Sequence, residues 1–492
     1  MVLHQPPLPL SGTEQVERTE PYRERLAALL SGNLDFHDAD SGYASHSFHS
    51  FPAKFPPQLP RKFIQDLTDE GNVVLDPMMG SGTTVLEALL AGRAAIGFDI
   101  DPLALLVTRV KVTSINREVV AEVGKGIQAR AARAVMERRE ALKADLEKRW
   151  DARTRQFVEG WFAPETQLEL LALMTEIERI DDAAVRGFFQ LVFSATIITK
   201  NGGVSLSLDL AHTRPHRAKV VVGRTGQVLI GQELVGSSDH RVKILTKTLR
   251  SALEEFGRRS HQNQKGLLEP WPGRVEPRVN FGDAQALPLG DAGVDLIVTS
   301  PPYVSNAIDY MRAHKFSLVW MGCGIDQLGE KRREYIGGES VVDESLEGLP
   351  GKAARVVADI AGLDKKKGRV LHRYYSEMTR ALREMFRVLS PGRAAIVVVG
   401  SSIMRGRDTE TPTCLADIGQ ALGFEVPRIG VRRLDRDRRM MPAGSRLDLG
   451  SQIQQRMHEE YVIGFYKPET GGVGERDDDH RTAHGIPSAR LS

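Results

Sequence analysis

Cysteine is nearly missing: Cys323 and Cys414 are the only two in 492 residues. They form no CxxC pair and no zinc-ligand spacing, which argues against a cysteine-based metal site. So few thiols fit a reducing cytoplasm better than a disulfide-stapled secreted scaffold. Long apolar runs are absent too. No stretch reaches the roughly 18 residues that mark a membrane-spanning helix. The first residues, MVLHQPPLPLSGTEQVERTE, lack the basic start and apolar run of a signal peptide. Net charge is only +2, so any nucleic-acid surface must be a local patch and not a global field. No internal repeat is evident.

What is present is a globular composition, 41% hydrophobic and 26% charged, in a chain too long for one ordinary domain. Strand and helix patterns alternate in two blocks. The first runs from Val73-Val74-Leu75 through a Gly-rich turn and a helix over Val85–Ala91 to a strand, Ala94 to Asp99. The second has strands at Arg278–Asp283 and Asp295–Val298, a helix over His372–Leu389 stopped by Ser390-Pro391-Gly392, a strand over Ala394–Gly400, a helix over Cys414–Leu422 and a last strand over Glu460–Tyr466. Between the blocks the reading is mostly helical: Ile127–Arg149, Thr166–Lys200 and Val242–Arg259, with a breaker at Asn201-Gly202-Gly203 and a hairpin pattern over Val220–Gly231. The division expected is an N-terminal arm over 1–44 with a short helix near Arg23–Leu30, a cofactor-binding part over 45–112, an inserted lobe over 113–275, a catalytic part over 276–466 and a disordered tail over 467–492.

Two turns carry chemistry. Asp76-Pro77-Met78-Met79-Gly80-Ser81-Gly82-Thr83-Thr84 follows a strand and opens a helix. Glycines there let the backbone approach a ligand, and the helix start offers free N–H groups. Asp99, closing the next strand, is placed to bind a ribose diol. No Lys follows the last glycine, so this is not a phosphate-cradling P-loop, and a nucleotide with few phosphates or none fits better. Alone, the turn also reads as a simple tight connection. Thr299-Ser300-Pro301-Pro302-Tyr303 follows a second apolar strand. Its prolines forbid helix and remove two N–H donors, leaving carbonyls beside a hydroxyl and an aromatic ring. Alone, it also reads as an ordinary proline turn.

Together the two turns resemble the amino-methyltransferases that carry a DPxxGSGTT loop and an SPPY loop, most of which modify DNA at N4 of cytosine or N6 of adenine. The resemblance covers about 45–112 and 276–466. It includes Phe48-His49-Ser50-Phe51-Pro52-Ala53-Lys54-Phe55-Pro56-Pro57, similar to the segment that packs on the cofactor's methionine end, and Gly282-Asp283-Ala284, similar to the turn that reaches the adenine. Met78 departs from the family's usual Phe, but a thioether still packs against a cofactor. The resemblance implies an α/β, Rossmann-like class I S-adenosylmethionine-dependent methyltransferase core with a large, mostly helical insertion. It implies S-adenosylmethionine held by Phe51, Lys54, Asp76, Pro77, Met78, Gly80, Gly82, Thr83, Thr84, Asp99, Ile100, Asp283 and Ala284. It also implies a catalytic loop of Ser300, Pro301, Pro302 and Tyr303, in which the Ser300 hydroxyl and the Pro301 carbonyl would accept hydrogen bonds from the substrate amine and Tyr303 would stack on a base flipped out of the duplex.

Ser at the first position of that loop resembles the cytosine-N4 group, with adenine N6 as the alternative. A C5-cytosine route needs a cysteine after a proline, and Cys323 follows Gly322 while Cys414 follows Thr413. The substrate expected is DNA. An RNA base remains an alternative, although the 45 or so residues before the resemblance leave no room for a separate RNA-binding domain. A nucleic-acid-binding protein with an inactive methyltransferase fold is the non-enzymatic alternative. A restriction endonuclease or defence-system partner is a further expectation, and the recognition site and oligomeric state are open. Candidate phosphate contacts are the basic stretch His212 to Lys219 in the insert, then Lys331-Arg332-Arg333 and Lys365-Lys366-Lys367. Asp309 to Lys315 is expected beside the substrate; His314 and His372 read as structural, and Tyr335 to Ser340 reads only as a turn.

Overall fold

The computed structural model describes residues 20–52, 54–199, 203–208, 210, 215–223, 225–232, 246–269, 275–304, 309–338, 346–434 and 459–469. Its strands are β1 (Val73–Asp76), β2 (Ala94–Asp99), β3 (Val220–Val222), β4 (Val228–Ile230), β5 (Thr246–Thr248), β6 (Arg278–Phe281), β7 (Val294–Thr299), β8 (Leu389–Val399), β9 (Ile403–Met404), β10 (Arg407–Asp408), β11 (Glu425–Arg433) and β12 (Glu459–Tyr466).

Seven strands form one sheet in the order β6-β2-β1-β7-β8-β12-β11. Neighbours are parallel from β6 to β8, and β12 runs antiparallel between β8 and β11. This is the Rossmann-like class I methyltransferase topology. The chain leaves β1 toward β2 and β6 and returns to β7 on the other side. The carboxyl ends of β1 and β7 therefore flank the topological switch point, where such sheets bind ligands.

The alternation in the sequence explains the layers. In β8, Ala394, Ile396 and Val398 face one side, packing with Leu59, Phe63, Leu86 and Leu89 from the helices Gln58–Leu67 and Thr83–Leu90. Ala395, Val397 and Val399 face the other, packing with Tyr374, Met378, Leu382 and Met385 of the helix Lys365–Val388. Period two sends successive side chains to opposite faces, and both faces are covered, so the strands read as continuous apolar runs.

A further core joins segment 117–264 to the chain after β7. Phe188, Phe189 and Phe193 of the helix Ala183–Ile197 share it with Phe316, Trp320 and the helix Pro102–Val112. The lobe beside the sheet is thus built from two stretches far apart in sequence.

Several sequence readings need correction. The charged helix expected over Ile127–Arg149 starts earlier, capped by Asn116 on Glu118 N and Val119 N, and breaks at Arg138 into two helices, Arg117–Glu137 and Arg139–Arg149. The helix expected over Val242–Arg259 begins at Ala252, where the Ser251 hydroxyl accepts from Glu254 N. Residues 246–248 pair instead with β3 in a small three-stranded sheet. β-Branched Thr246 and Thr248 suit that strand. Ser390-Pro391-Gly392 lies within β8, following the helix that ends at Val388. Asn201, Gly202, residues 212–214 of the basic stretch, 242–245, Ser340, and the arm and tail outside 20–469 lie outside the described residues.

Candidate functional site

The loop after β1 is shaped by two left-handed glycines, Gly80 (φ +48°) and Gly82 (φ +71°). At Gly82 a Cβ would lie 2.4 Å from Thr108 Cγ2, so this position admits no side chain without displacement. The Thr108 hydroxyl in turn donates to the Gly80 carbonyl at 3.2 Å.

Two carboxyl groups fix the switch point. Asp76, buried at the end of β1, accepts from Thr299 Oγ1 at 2.7 Å and from Met78 N at 3.2 Å. The first bond ties the loop after β1 to the end of β7. Burial pushes the Asp76 carboxyl up to about 6. Asp99 accepts from Gly80 N through Oδ2 and from Asp101 N through Oδ1, both at 2.8 Å. Burial, and then the charge of Asp101, push Asp99 up to about 7. Asp101 is committed elsewhere. It caps the helix Pro102–Val112 through Leu103 N and Ala104 N, and its Oδ2 lies 2.6 Å from His314 Nδ1. Burial opposes its ionisation, but the neighbouring His314 and the cap hold it below the usual carboxylate range.

Between these loops lies a cleft of about 840 Å³, open mouth included. Of the residues expected at a cofactor site, Phe51, Lys54, Asp76, Pro77, Met78, Gly80, Thr83, Asp99, Ile100, Asp283 and Ala284 line it, joined by Ser300 and Pro302 of the second loop. Four do not line it. Gly82 is the start of the helix Thr83–Leu90. Thr84 is buried, with its hydroxyl donating to Val298 O at 3.0 Å. Pro301 is buried. Tyr303 is buried, and its hydroxyl donates to Glu460 Oε1 at 2.8 Å. Glu460 in turn pairs with Arg432 across the β11–β12 ladder. Burial and the Glu460 carboxylate push the Tyr303 hydroxyl well above its usual range.

Sequence reasoning missed other lining residues, Met79, Tyr335 and Ile336; Asp101, the sequence's competitor to Asp99 for the ribose, also lines the cleft. Tyr310 also lines the cleft and stands in an aromatic group with Phe51 (centroids 5.7 Å) and His314 (6.0 Å). The rest of Asp309 to Lys315 packs into the lobe, with Met311, Ala313 and His314 buried. His314 holds Asp101, consistent with a structural role. Among the basic stretches, Arg332 pairs with the buried Asp309 at 2.5 Å, while Lys365 and Lys366 are exposed.

The lining suits a cationic nucleoside. Four carboxyl groups, Asp76, Asp99, Asp101 and Asp283, stand against one ammonium, Lys54, and the Lys54 ammonium donates to the carbonyls of His46 and His49. Such a site disfavours phosphates. Much of the remaining lining, from Phe51, Met78, Ile100, Ala284 and Ile336, is apolar, as in sites that bury a ring system. Among the described residues no group of three or more His, Cys, Asp or Glu is arranged to hold a metal ion. No helix among them is long and apolar enough to cross a membrane.

Comparison with known proteins agrees with this geometry. The N6/N4 methyltransferase family model, described as DNA methylase, matches residues 30–107. The type II methyltransferase M.MvaI of Kocuria varians is 22% identical over 435 residues, covering 80% of this chain and 86% of its own. M.BsoBI of Geobacillus stearothermophilus, also a type II methyltransferase, is 21% identical over 458 residues, covering 84% of each. A third, M.BglI of Bacillus subtilis, is 50% identical over 50 residues, 10% of this chain and 14% of its own. The paired loops at the switch point and these matches support an N4/N6 DNA amino-methyltransferase family for the chain.

Proposed function

We propose that this DNA amino-methyltransferase modifies cytosine at N4. The observation that carries the reading is Ser300, the first residue of the loop after β7, lining the same cleft as Asp76 and Asp99. S-Adenosylmethionine supplies an activated methyl group on a sulfonium. The protein's own task is to hold an exocyclic amine in line and accept its hydrogen bonds, so that the nitrogen lone pair is freed from the ring. Ser300 Oγ and the Pro301 carbonyl are assigned that task. A base inside a duplex cannot reach the cleft, so it enters flipped out. The residues over 113–275 are assigned to reading the recognition site. Both long relatives being type II methyltransferases supports a restriction–modification setting, with an endonuclease acting on the same site as partner. Mass spectrometry of nucleosides from DNA methylated in vitro tests the base. N4-methylcytosine supports the reading, and N6-methyladenine replaces it while leaving the loop chemistry in place.

Ser300→Ala is expected to lower kcat by about 10- to 100-fold, the value of one hydrogen bond to a group whose charge changes in the transition state, with cofactor affinity nearly unchanged. Steady-state kinetics beside calorimetry check this. An equal loss of cofactor affinity would move Ser300 into the cofactor site.

Asp99 is assigned to the cofactor ribose, and the capping bonds of Asp101 leave Asp99 the better acceptor. Its raised pKa gives a test. Without cofactor the carboxyl titrates near 7; hydroxyl donors and a nearby sulfonium favour the ionised form. Binding below pH 7 should therefore release a proton, and affinity should fall as pH drops through 7, by at most about tenfold per unit. Calorimetry in two buffers of different ionisation enthalpy reads the proton. Asp99→Asn should abolish the pH dependence and cost about 1–3 kcal/mol of affinity above pH 7. A slope that survives this variant would assign the titration to another group.

A further inference from the structure

The turn Tyr335-Ile336-Gly337-Gly338 had no role in the sequence, yet it meets both functional elements. Tyr335 and Ile336 line the cleft. Gly337 takes φ +79°, and a Cβ there would stand 3.3 Å from the carbonyl oxygen of Tyr303, in the loop after β7. The turn is therefore wedged between the cleft and the back of the catalytic loop.

What holds it is an ion pair inside the core. Arg373 and Glu377, one turn apart on the helix Lys365–Val388, are each only 2% exposed. Arg373 Nε donates to Glu377 Oε1 at 2.8 Å. The other Glu377 oxygen accepts the Gly337 N–H at 2.8 Å. Arg373 Nη2 donates to the Arg333 carbonyl at 3.0 Å, just before the turn. A buried ion pair adds little stability over well-packed apolar side chains of similar volume. Its value here lies in direction, because Glu377 reaches the main chain of the turn and Arg373 the main chain of the helix end that leads into it.

We propose that Arg373 and Glu377 are positioning residues for methyl transfer: through Gly337 they fix the spacing between the catalytic loop and the cleft wall made by Tyr335 and Ile336. The inference rests on reading the cleft as the site where cofactor and base meet. The pair touches neither; it acts through the turn.

The first test is Gly337→Ala, which removes no core group. A methyl group at positive φ against the Tyr303 carbonyl must shift one of them. The shift needed is a few tenths of an ångström, and rate at a reacting site falls steeply with misplacement, up to about 100-fold for roughly 1 Å. The expected result is a 10-fold or greater fall in kcat on DNA at a Tm close to wild type. The second variant, Arg373→Met with Glu377→Leu, replaces the pair by apolar side chains. It should stay folded, lose kcat similarly, and show a smaller rise in Tm with S-adenosylhomocysteine. In that background Gly337→Ala should cost little more, because the turn has already been released. A purely structural pair would lower Tm and leave this coupling at zero. Unchanged kcat in Gly337→Ala, or two fully additive losses, would overturn the proposal. Wild-type protein that methylates no DNA in the same assay would count against the methyltransferase reading instead.

Discussion

Replacing Glu87 by alanine is expected to destabilise the fold by about 3–5 kcal/mol, the usual cost of removing one partner from a buried charged cluster. Glu87 sits on the helix that follows the Gly-rich loop and is 1% exposed. It accepts from Tyr43 Oη at 2.6 Å, from His46 Nε2 at 2.7 Å and from Arg61 Nε at 2.7 Å. All three donors belong to the stretch before β1 that carries Phe51 and Lys54 to the cleft. Their loss of a common acceptor should loosen that stretch and weaken cofactor binding together with stability. Urea denaturation and cofactor calorimetry on Glu87→Ala check both; loss of stability alone would show that the stretch keeps its place without the hub. The cluster also sets an acid limit. Burial, against the bond to Glu87, pulls the His46 imidazole from 6.5 down to about 4. Below pH 6.5 the unfolded chain therefore binds a proton that the folded chain refuses, and stability falls as pH drops from 6.5 toward 4. Glu87 acts in the same direction. Burial would raise its pKa, but His46, Tyr43 and Arg61 hold it below 4.5, so its contribution is lost as pH falls through that lowered value. His46→Gln should flatten the upper part of this window.

Gly82→Ala is expected to cost about 2–5 kcal/mol, combining left-handed backbone strain with overpacking. The new Cβ would stand 2.4 Å from Thr108 Cγ2 and 2.5 Å from its Oγ1. Displacing that side chain breaks its bond to the Gly80 carbonyl, and Gly80 N is the donor that orients Asp99. Cofactor affinity should fall with stability, although Gly82 does not itself line the cleft. Adding Thr108→Ala should recover the part due to the displaced hydroxyl and methyl, and not the part due to φ. Thermal unfolding of the single and double variants separates the two; full recovery would show that the backbone conformation costs nothing.

The two motif loops were readable in the sequence because each encodes its own geometry. Glycines at fixed places make a left-handed turn, and paired prolines stiffen another. The strands beside them were readable because burial on both faces leaves only apolar residues. Contacts between distant segments were not readable. Nothing in Tyr335-Ile336-Gly337-Gly338 shows that it will back onto Tyr303, because that meeting is made by a helix some forty residues later. Glu460 looked like a strand's first residue, and only the antiparallel placement of β12 brings it to Tyr303. The lobe carries the same lesson. Trp320 and Phe316 follow the catalytic loop in sequence but complete the core of residues 117–264.

The far side of the sheet has a consequence for how such a chain can be ordered. The helix Tyr22–Ser31 lies across β11 and β12, where Gly430 and Gly464 leave room for Leu30. There the Tyr22 and Tyr466 rings approach to 6.3 Å, and Arg23 bonds Glu425. The first and last described elements are thus neighbours in space. A short bridge between them, with a new opening in another surface connection, would keep every strand beside its present partner. The switch point requires β1 and β7 side by side, but not that the cofactor loop be translated before the catalytic one. The order of the two motifs along the chain is thus not itself a requirement of the site's geometry.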